Sequence, residues 1–455
     1  MINLYGILNT GAGALKTQQT AINVTGHNIA NVNTPGYSRQ RVNMATSDPL
    51  TLSTGQVGTG VKAVEIQRVY DQFLIHQINN ESQQLGRWQA QKDPLTQVEM
   101  IFNVGSEYGL GEEMNGFWNA WQDLANNPSG ITERNVLASK SESLAQTFQE
   151  INMNLEQVQQ NMTENINGAV NEINTLGAQI ADLNNLINKA ESKGQNANDY
   201  RDQRDLLLKE LSSKIDITTE ENNGMVTVFI GDNEALVEDV RSWDLSFNDP
   251  DFSIQTEAGS GTIDADQISG GALRGWLDVR DSIVPGYIGQ LDELAAGIID
   301  SVNTLHVTGT GLDGTQNAFF TGTSAGDIAV NSDIIADVNK IAAAGPGGNI
   351  PGDNSMAIAI AGLQDQLTMN GNMSTFNGFY QSLVSDIGSD VQQALANFTH
   401  QKEMAAYLDS YRESISGVNI DEEMINLVKF QNAYEAAAKI ISTVDEMLDT
   451  VINMV

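Results

Sequence analysis

The feature that most constrains the fold is a hydrophobic repeat near the C-terminal end of this 455-residue chain. Its apolar positions are Leu427, Phe430, Tyr434, Ala437, Ile441, Val444, Leu448 and Val451. They alternate by three and four residues, which is the a and d pattern of a coiled-coil helix. The acidic tripeptide 421–423 precedes the repeat and suits the positive end of a helix dipole. The sequence therefore predicts a long C-terminal helix that packs against a partner helix.

A second repeat, near the N-terminus, supplies a candidate partner. This seven-residue series consists of Leu8, Leu15, Ile22 and Ile29. The companion positions Gly11, Gln18 and Thr25 are weak, although a glycine can permit close approach of a partner backbone. We expect the two terminal helices to pair, and to become fully ordered when they gain neighbours in a polymer.

Helical and extended patterns alternate through the rest of the chain. Residues 131–192 contain no proline and repeat apolar residues every seven positions, which predicts one long helix with a partner. Shorter patterns predict helices over 199–211 and about 375–416. Alternating residues predict strands or extended arms within 38–78 and a β-rich region between 214 and 268.

These patterns predict a mainly α chain with a β-rich insertion, long helices and an N/C-terminal coiled-coil pair. Because helical patterns flank the insertion on both sides, we expect a discontinuous multi-domain chain. The first predicted domain is an inner coiled-coil domain of residues 1–37 plus 418–455. The second is a long-helix body with short extended arms, made of residues 38–214, 270–310 and 354–417. The third is a β-rich outer insertion of residues 215–269 plus 311–353.

Residues 27–37 connect the N-terminal helix to the body. Pro35 fixes its own φ and lacks an amide donor, and Gly36 accepts the positive φ of a type II turn. Asn31 suits a helix end, and Tyr37 offers an aromatic body with a polar tip that can anchor the turn. We interpret this stretch as a hinge.

Composition and spacing exclude several kinds of chemistry. The absence of cysteine excludes disulfides, cysteine-ligated metals and thiol nucleophiles. The formal net charge of −35 disfavours nucleic acid and anionic membranes as partners. The four histidines, His27, His76, His306 and His400, are scattered without metal-ligand spacing, which favours structural roles.

We find no pattern that predicts an active site. Residues 309–314 match G-x-G-x-x-G, but the match follows a helical pattern and opens no helix, so the dinucleotide-binding context is missing. The loop around Asp249 and Asp251 lacks calcium-loop spacing, and no nucleophile elbow is found. We therefore predict no enzyme activity, no cofactor and no metal site.

The hinge residues resemble a family signature. Ala30, Asn31, Thr34, Pro35, Gly36 and Tyr37 are similar to the Ala-Asn-x-x-Thr-x-Gly-Tyr signature of the flagellar rod, hook and hook-associated axial proteins. The segments 199–211, 270–281, 291–295 and 417–423 narrow the resemblance to the flagellar hook-associated protein 1 family. The likeness covers roughly residues 1–310 and 354–455.

The resemblance implies a subunit at the junction between hook and filament, self-associating into a ring. It implies extracellular localisation after export, unfolded, through the flagellar type III apparatus. It also implies three partners: the hook protein, the second hook–filament junction protein, and a cytoplasmic export chaperone at the C-terminal region. Residues 1–6 lack the basic region of a cleaved signal peptide, so we expect export without one, and no stretch is long enough to insert into a membrane.

The leading hypothesis is a structural adaptor whose terminal helices assemble. One alternative is another axial subunit of the hook or rod, and another is an adhesin that uses the β-rich insertion. An enzyme in residues 215–350 would need convergent titratable groups, which the sequence does not reveal.

Overall fold

The computed structural model describes residues 4–52, 55–102, 109–231, 233–257 and 259–453. The helices are α1 (Leu4–Ala30), α2 (Gln72–Ile101), α3 (Leu110–Asn126), α4 (Ile131–Glu191), α5 (Asn198–Lys214), α6 (Gly271–Asp278), α7 (Val284–His306), α8 (Ser332–Ala336), α9 (Ser355–Ala361), α10 (Phe376–Ser416) and α11 (Ile420–Ile452). A π-helical segment, Val279–Ile283, joins α6 to α7, and short 3-10 helices span Ala265–Gln267, Val338–Lys340 and Gly362–Asp365. The mainly helical class with long helices is confirmed.

The strands are short and antiparallel. They are β1 (Gln40–Thr46), β2 (Leu50–Leu52), β3 (Gly55–Val57), β4 (Val61–Arg68), β5 (Thr218–Asn222), β6 (Met225–Ile230), β7 (Glu234–Glu238), β8 (Arg241–Ser242), β9 (Leu245–Asn248), β10 (Asp251–Thr256), β11 (Gly259–Ile263), β12 (Phe320–Thr321) and β13 (Ala329–Val330). Two larger sheets have the orders β5-β6-β7-β8 and β11-β10-β9. The three remaining pairs are β1-β4, β2-β3 and β12-β13.

The chain forms two compact units, each built from several segments. The first unit contains Met1–Gly86, Val170–Gly271 and Gln401–Val455, and the second contains Arg87–Ala169 and Ala272–His400. Helices α2, α4 and α10 each contribute residues to both units. Each unit is therefore made of separate segments of the sequence, and the chain is discontinuous as the sequence predicts.

In the first unit, a two-stranded ribbon follows α1. Strand β1 pairs with β4, with a register shift between Asn43 and Met44, and β2 and β3 form a hairpin at the far end. These strands lie in the part of the sequence predicted to be extended. The ribbon contacts α1 at Thr17, whose hydroxyl donates to the carbonyl of Val61 at 3.3 Å.

The two larger sheets of the first unit pack along the C-terminal part of α4. Ile173, Ile180 and Ile187 of α4 are fully buried, as their seven-residue spacing predicts. Strand β6 alternates between buried and half-buried residues, which is the pattern of a strand with one covered face. The Asn174 side chain donates to and accepts from the backbone of Leu245, at 2.8 Å each, so a polar side chain fixes this contact.

The second unit has a core of aromatic side chains. Phe117, Trp118 and Trp121 on α3 are buried, and the Trp118 ring stacks on Phe376 with 5.7 Å between centroids. The Trp121 ring lies 5.2 Å from that of Phe319 in a tilted arrangement. Such offset and tilted pairs suit the quadrupoles of aromatic rings.

Residues 311–353 differ from the expected β-rich texture. They contain only the two-residue strands β12 and β13 and short helical segments, among the residues that the structure describes. Their apolar side chains enter the core of the second unit, with Phe319, Phe320, Ile328, Ile334 and Ile341 almost fully buried. Residues 215–269 belong to the first unit, so the two segments that the prediction joined lie in different units. The division into inner, body and outer domains remains a prediction.

Candidate functional site

Helices α1 and α11 pack against each other in the first unit. Within the predicted seam of α11, Ala437 and Val444 are buried, whereas Tyr434 and Val451 are 36% and 51% exposed. The other seam residues are half-buried, namely Leu427, Phe430, Ile441 and Leu448 on α11 and Leu8, Leu15, Ile22 and Ile29 on α1. The pair therefore leaves much of both predicted seams accessible.

The closest packing in the pair is at a glycine. A Cβ atom added to Gly11 would lie 2.9 Å from Cγ1 of Ile441, so the two helices meet where α1 has no side chain. Of the other buried residues of α1, Thr17, Ala21, Thr25 and Asn28 are small or polar, and the fifth is Val24. The sequence predicts the close approach at a glycine but not that small residues, rather than the leucine and isoleucine series, would be the most buried.

Asn28 is the centre of a buried polar network where α1 ends. Its Oδ1 accepts from the Tyr37 hydroxyl at 2.8 Å and from the Gln40 amide at 2.9 Å. Its Nδ2 donates to the Gln40 carbonyl at 2.9 Å and to Oε2 of Glu423 on α11 at 3.0 Å. Asn28 is 1% exposed and Glu423 is 4% exposed. Because a side-chain amide offers two donors and two lone pairs, Asn28 is fully satisfied here and joins α1, β1 and α11.

The exit turn, residues 31–37, has the conformation that the sequence predicts. Gly36 has a φ of +79°, and the Tyr37 amide donates to the Thr34 carbonyl at 3.2 Å. The Asn31 side chain donates to the His27 carbonyl at 3.0 Å and accepts from the Thr34 hydroxyl at 3.1 Å. Ala30 and Pro35 are exposed at the edge of this turn.

The Tyr37 hydroxyl is held in its neutral form. Burial and the nearby carboxylates of Asp199, Asp202 and Glu423 raise the Tyr37 pKa well above its ordinary value. The hydroxyl is therefore a permanent donor to Asn28 at physiological pH. The signature tyrosine thus serves to fasten the exit turn to the end of α1.

Helix α5 holds the exit turn from the other side. Asp202 accepts from the Ser38 amide at 2.8 Å and from the Arg68 guanidinium at 2.7 Å, and Asp205 accepts from Arg68 at 2.7 Å. Burial lowers the pKa of Arg68, but the two aspartates outweigh burial and the net pKa is raised. The Arg68 guanidinium also lies 4.0 Å from the centre of the Tyr70 ring. Arg68 therefore stays charged and ties the root of the ribbon to α5.

The opposite face of α5 contacts α4 and the four-stranded sheet. Arg204 is 1% exposed and donates to Oδ1 of Asn184 at 3.0 Å and to the Gly224 carbonyl at 2.7 Å. Asn184 in turn exchanges hydrogen bonds with the backbone of Val226, at 2.8 Å and 3.1 Å. Polar contacts thus run without interruption from the exit turn through α5 to the sheet.

Sequence reasoning missed the residues that hold the turn. These are Asn28, Arg68, Asp202, Asp205 and Glu423. One available indication was the spacing of Asp199, Asp202 and Asp205, which places three carboxylates on one face of a helix. The partners of these carboxylates are distant in sequence, and no local pattern identifies them.

The histidines have separate environments. His27 lies 3.4 Å from the exposed Asp199 carboxylate, and His76 and His400 are exposed. No three of the histidine, aspartate and glutamate side chains that the structure describes are grouped as a metal site. Within the described ranges, no helix has the length and apolar character needed to cross a membrane.

His306 is buried in the second unit. Its Nδ1 lies 2.6 Å from the Asn317 carbonyl, and its Nε2 accepts from the Ala342 amide at 2.9 Å. The Ala342 contact requires an unprotonated Nε2, so the proton is on Nδ1. Burial, with a smaller effect of Arg134, lowers the His306 pKa to about 4. His306 is therefore a neutral structural residue.

Three parts of the sequence match flagellar protein families. Residues 95–320 match the flagellar hook-associated protein FlgK helical domain. Residues 8–37, which include α1 and the exit turn, match the flagella basal body rod protein family. Residues 411–454, which include α11, match the C-terminal family of the flagellar basal body rod FlgEFG proteins.

Whole proteins are similar over nearly the full chain. Flagellar hook-associated protein 1 of Bacillus subtilis (strain 168) is 31% identical over 100% of this chain and 99% of its own length. The Escherichia coli (strain K12) protein of the same name is 26% identical over 99% of this chain and 100% of its own length. The flagellar hook junction protein FlgK from Burkholderia pseudomallei has a similar fold, with a TM-score of 0.67 at 16% identity, covering 75% of this chain and 100% of that one. The chain belongs to the flagellar hook-associated protein 1 family.

Proposed function

We propose that this chain is a structural adaptor subunit at the junction between the bacterial flagellar hook and filament. It assembles through its terminal helices, which form the walls shared between neighbouring copies. The observation that carries this proposal is the helix pair of α1 and α11, whose apolar seam is only partly covered within one chain. Membership of the hook-associated protein 1 family supports the site of action.

Exposed apolar side chains on α11 extend beyond the seam. Ile425 is 69% exposed, and Val428 and Met447 are each 51% exposed. Large contiguous apolar surfaces on soluble proteins mark interaction sites, and covering them releases about 25 cal/mol per Å². Neighbouring copies bury these apolar side chains, and the predicted seam residues of α1 and α11 make the contacts between copies.

The exit turn sets the direction in which the helix pair leaves the rest of the first unit. Ala30, Asn31, Thr34, Pro35, Gly36 and Tyr37 form this hinge. The polar network around Asn28 and the carboxylates of α5 keep it in one conformation. A fixed direction allows identical copies to repeat the same contact around a ring.

The partners follow from the position of such a ring. One face meets the hook protein and the other meets the second hook–filament junction protein. A cytoplasmic export chaperone binds the C-terminal region before export and covers the apolar residues of α11. The subunit is exported, acts outside the cell, and performs no enzymatic reaction.

Two other functions are less well supported. The similarity to hook-associated protein 1 over nearly the full chain favours the junction over another axial position in hook or rod. An adhesin would use the sheets of residues 215–269, and binding of the full chain to glycan arrays, lost on replacing exposed strand residues, would favour that function.

The test is complementation of a strain that lacks its own copy of this gene. Deleting residues 427–455 removes most of α11 and should abolish motility while the remaining chain is folded and exported. A matched pair of substitutions tests the helix pair on which assembly depends: Ala437 is buried in the pair and Ala436 is exposed, so Ala437→Asp should disrupt the pair and abolish filament attachment, and Ala436→Asp should preserve it. Full motility of the deletion or of Ala437→Asp would contradict the proposal.

A further inference from the structure

One face of α1 is accessible along the length of the helix. Its eight exposed residues follow one another at steps of three or four: Tyr5, Asn9, Ala12, Lys16, Gln19, Asn23, Gly26 and Ala30. Such steps place residues on one line along a helix. Among them, Lys16 alone is charged at neutral pH. A helix face that borders only water normally carries several charged side chains, so this face is suited to a further contact.

The two terminal helices carry charge of opposite sign. Helix α11 contains seven acidic residues and two basic ones, whereas α1 contains one lysine and no acidic residue. A contact between two α11 faces would therefore bring like charges together, and a contact between two α1 faces would bring two lysines together. A contact between α1 and α11 brings opposite charges together, so the charges favour a contact between unlike faces.

The contacts within one chain fix which positions of the two helices are level. Gly11 of α1 packs against Ile441 of α11. Asn28, near the end of α1, donates to Glu423, near the start of α11, so the two helices are antiparallel. Counted from either contact, position 16 of α1 is level with positions 435–436 of α11. Copies around a ring are related by rotation, so equivalent points of their helix pairs lie at the same height.

Lys16 and Glu435 therefore face each other when the helix pairs of two copies stand side by side. Both residues are exposed, and neither takes part in an ion pair among the residues that the structure describes. The residues at other levels of the two faces also match in size. Gly26 is level with Ile425, whose side chain is 69% exposed, so a large side chain of α11 meets a position of α1 that has none.

We propose that the accessible face of α1 in one copy of the chain packs against the accessible face of α11 in the next copy, with Lys16 paired to Glu435. The contact joins two different surfaces, so it is head-to-tail and repeats in one direction around a ring. Helices α1 and α11 then alternate along the wall that the copies form. The contact rests on the proposed function, because it needs copies of the chain to be neighbours.

Cysteine cross-linking between two tagged copies tests the contact. The chain has no cysteine, so a copy with Lys16→Cys and a copy with Glu435→Cys carry one thiol each. Treating junctions isolated from cells that express both copies with a short thiol-specific cross-linker should yield a dimer that contains both tags. Asp449→Cys is the matched control, because Asp449 is also exposed on α11 but lies about 21 Å from Glu435 along the helix. It should give no dimer with the Lys16→Cys copy.

The outcomes separate this contact from the adaptor function. Junctions that contain both copies but no mixed dimer would overturn the contact and leave the adaptor function standing. A dimer of two Lys16→Cys copies would show that like faces meet, and would also overturn the contact. A mixed dimer with Asp449→Cys in place of Glu435→Cys would overturn the pairing of Lys16 with Glu435. Absence of the unmodified chain from junctions would instead overturn the adaptor function.

Exchange of the two charges gives a second test that needs no cross-linker. Lys16→Glu should lose attached filaments, because it places two carboxylates opposite each other, and Lys16→Glu combined with Glu435→Lys should regain them. Lys193→Glu is the control, since Lys193 is exposed and lies outside both terminal helices. Filaments retained in Lys16→Glu, or lost without recovery in the double variant, would contradict the contact.

Discussion

Replacing Asn28 with alanine should release the exit turn without unfolding the rest of the first unit. The substitution removes four hydrogen bonds, at 2.8, 2.9, 2.9 and 3.0 Å, from groups that are largely buried. It leaves the Tyr37 hydroxyl, the Gln40 backbone and the Glu423 carboxylate without these partners. A buried group that loses its partner costs about 1–3 kcal/mol.

The net effect is smaller than the sum of four such losses. Alanine leaves a polar space, and water can enter it and restore part of the bonding. We therefore expect the exit turn to be destabilised by about 3 kcal/mol, which corresponds to roughly a hundredfold change in an opening equilibrium.

Amide hydrogen exchange at single residues measures this opening. The Gln40 amide donates directly to Asn28 and the Ser38 amide donates to Asp202, so both report on the exit turn. In Asn28→Ala, the Gln40 amide should exchange about a hundredfold faster, while amides in β6 and α4 keep their rates. Asn23→Ala is the matched control, because Asn23 is an exposed asparagine on the same helix. A change of less than threefold at Gln40, or equal changes in the two variants, would refute the role of Asn28.

The remaining predictions concern two glycines and the buried histidine. Gly11→Val should weaken the terminal helix pair by about 1–3 kcal/mol, because the added atoms would overlap Ile441, and cysteine cross-linking between α1 and α11 should fall. Gly36→Val should impair junction assembly but leave circular dichroism of the monomer unchanged, because a β-branched residue is strained at a φ of +79°; normal junctions would contradict this. The pKa of His306 falls from 6.5 in the unfolded chain to about 4 in the folded chain. Its contribution to the free energy of unfolding is therefore full above pH 6.5 and decreases by about 3 kcal/mol as the pH falls to 4. Urea unfolding between pH 7 and pH 4 should show this fall in the free energy of unfolding. The pH dependence should be weaker in His306→Gln but not in His400→Gln. An unchanged pH dependence in His306→Gln would exclude His306 as its source.

The helices were predictable because their sequence periods are long. Helix α4 spans Ile131–Glu191, close to the predicted 131–192, since each seven-residue step adds an independent indication of the buried face. The short segments of 311–353 were less predictable, because pieces of two to five residues carry no period. Their positions are decided by burial of Phe319 and Phe320 among distant helices.

The candidate site likewise has features that could be predicted from sequence and features that could not. The positive φ of Gly36 and the anchoring role of Tyr37 could be predicted, because turn chemistry depends on adjacent residues. The pairing of Asn28 with Glu423 could not, because the two residues are 395 positions apart and neither type is unusual at its place in sequence. The same holds for Arg68 and Asp202, which are separated by 134 positions.

The contacts that define the α1–α11 pair within one chain differ from most of its accessible apolar residues. Within one chain, the register of α1 against α11 is fixed at Asn28 by directed hydrogen bonds and at Gly11 by close approach. A single buried polar residue is known to set register in helix pairs, because a shift would leave it unpaired. Apart from Ile441, which packs against Gly11, and the buried Ala437 and Val444, the seam residues of α11 are half-buried or exposed and lie at the margin of the pair. Neighbouring copies can cover those residues without competing with the contacts that define the subunit, so a monomer can have a defined helix pair and still present an adhesive surface.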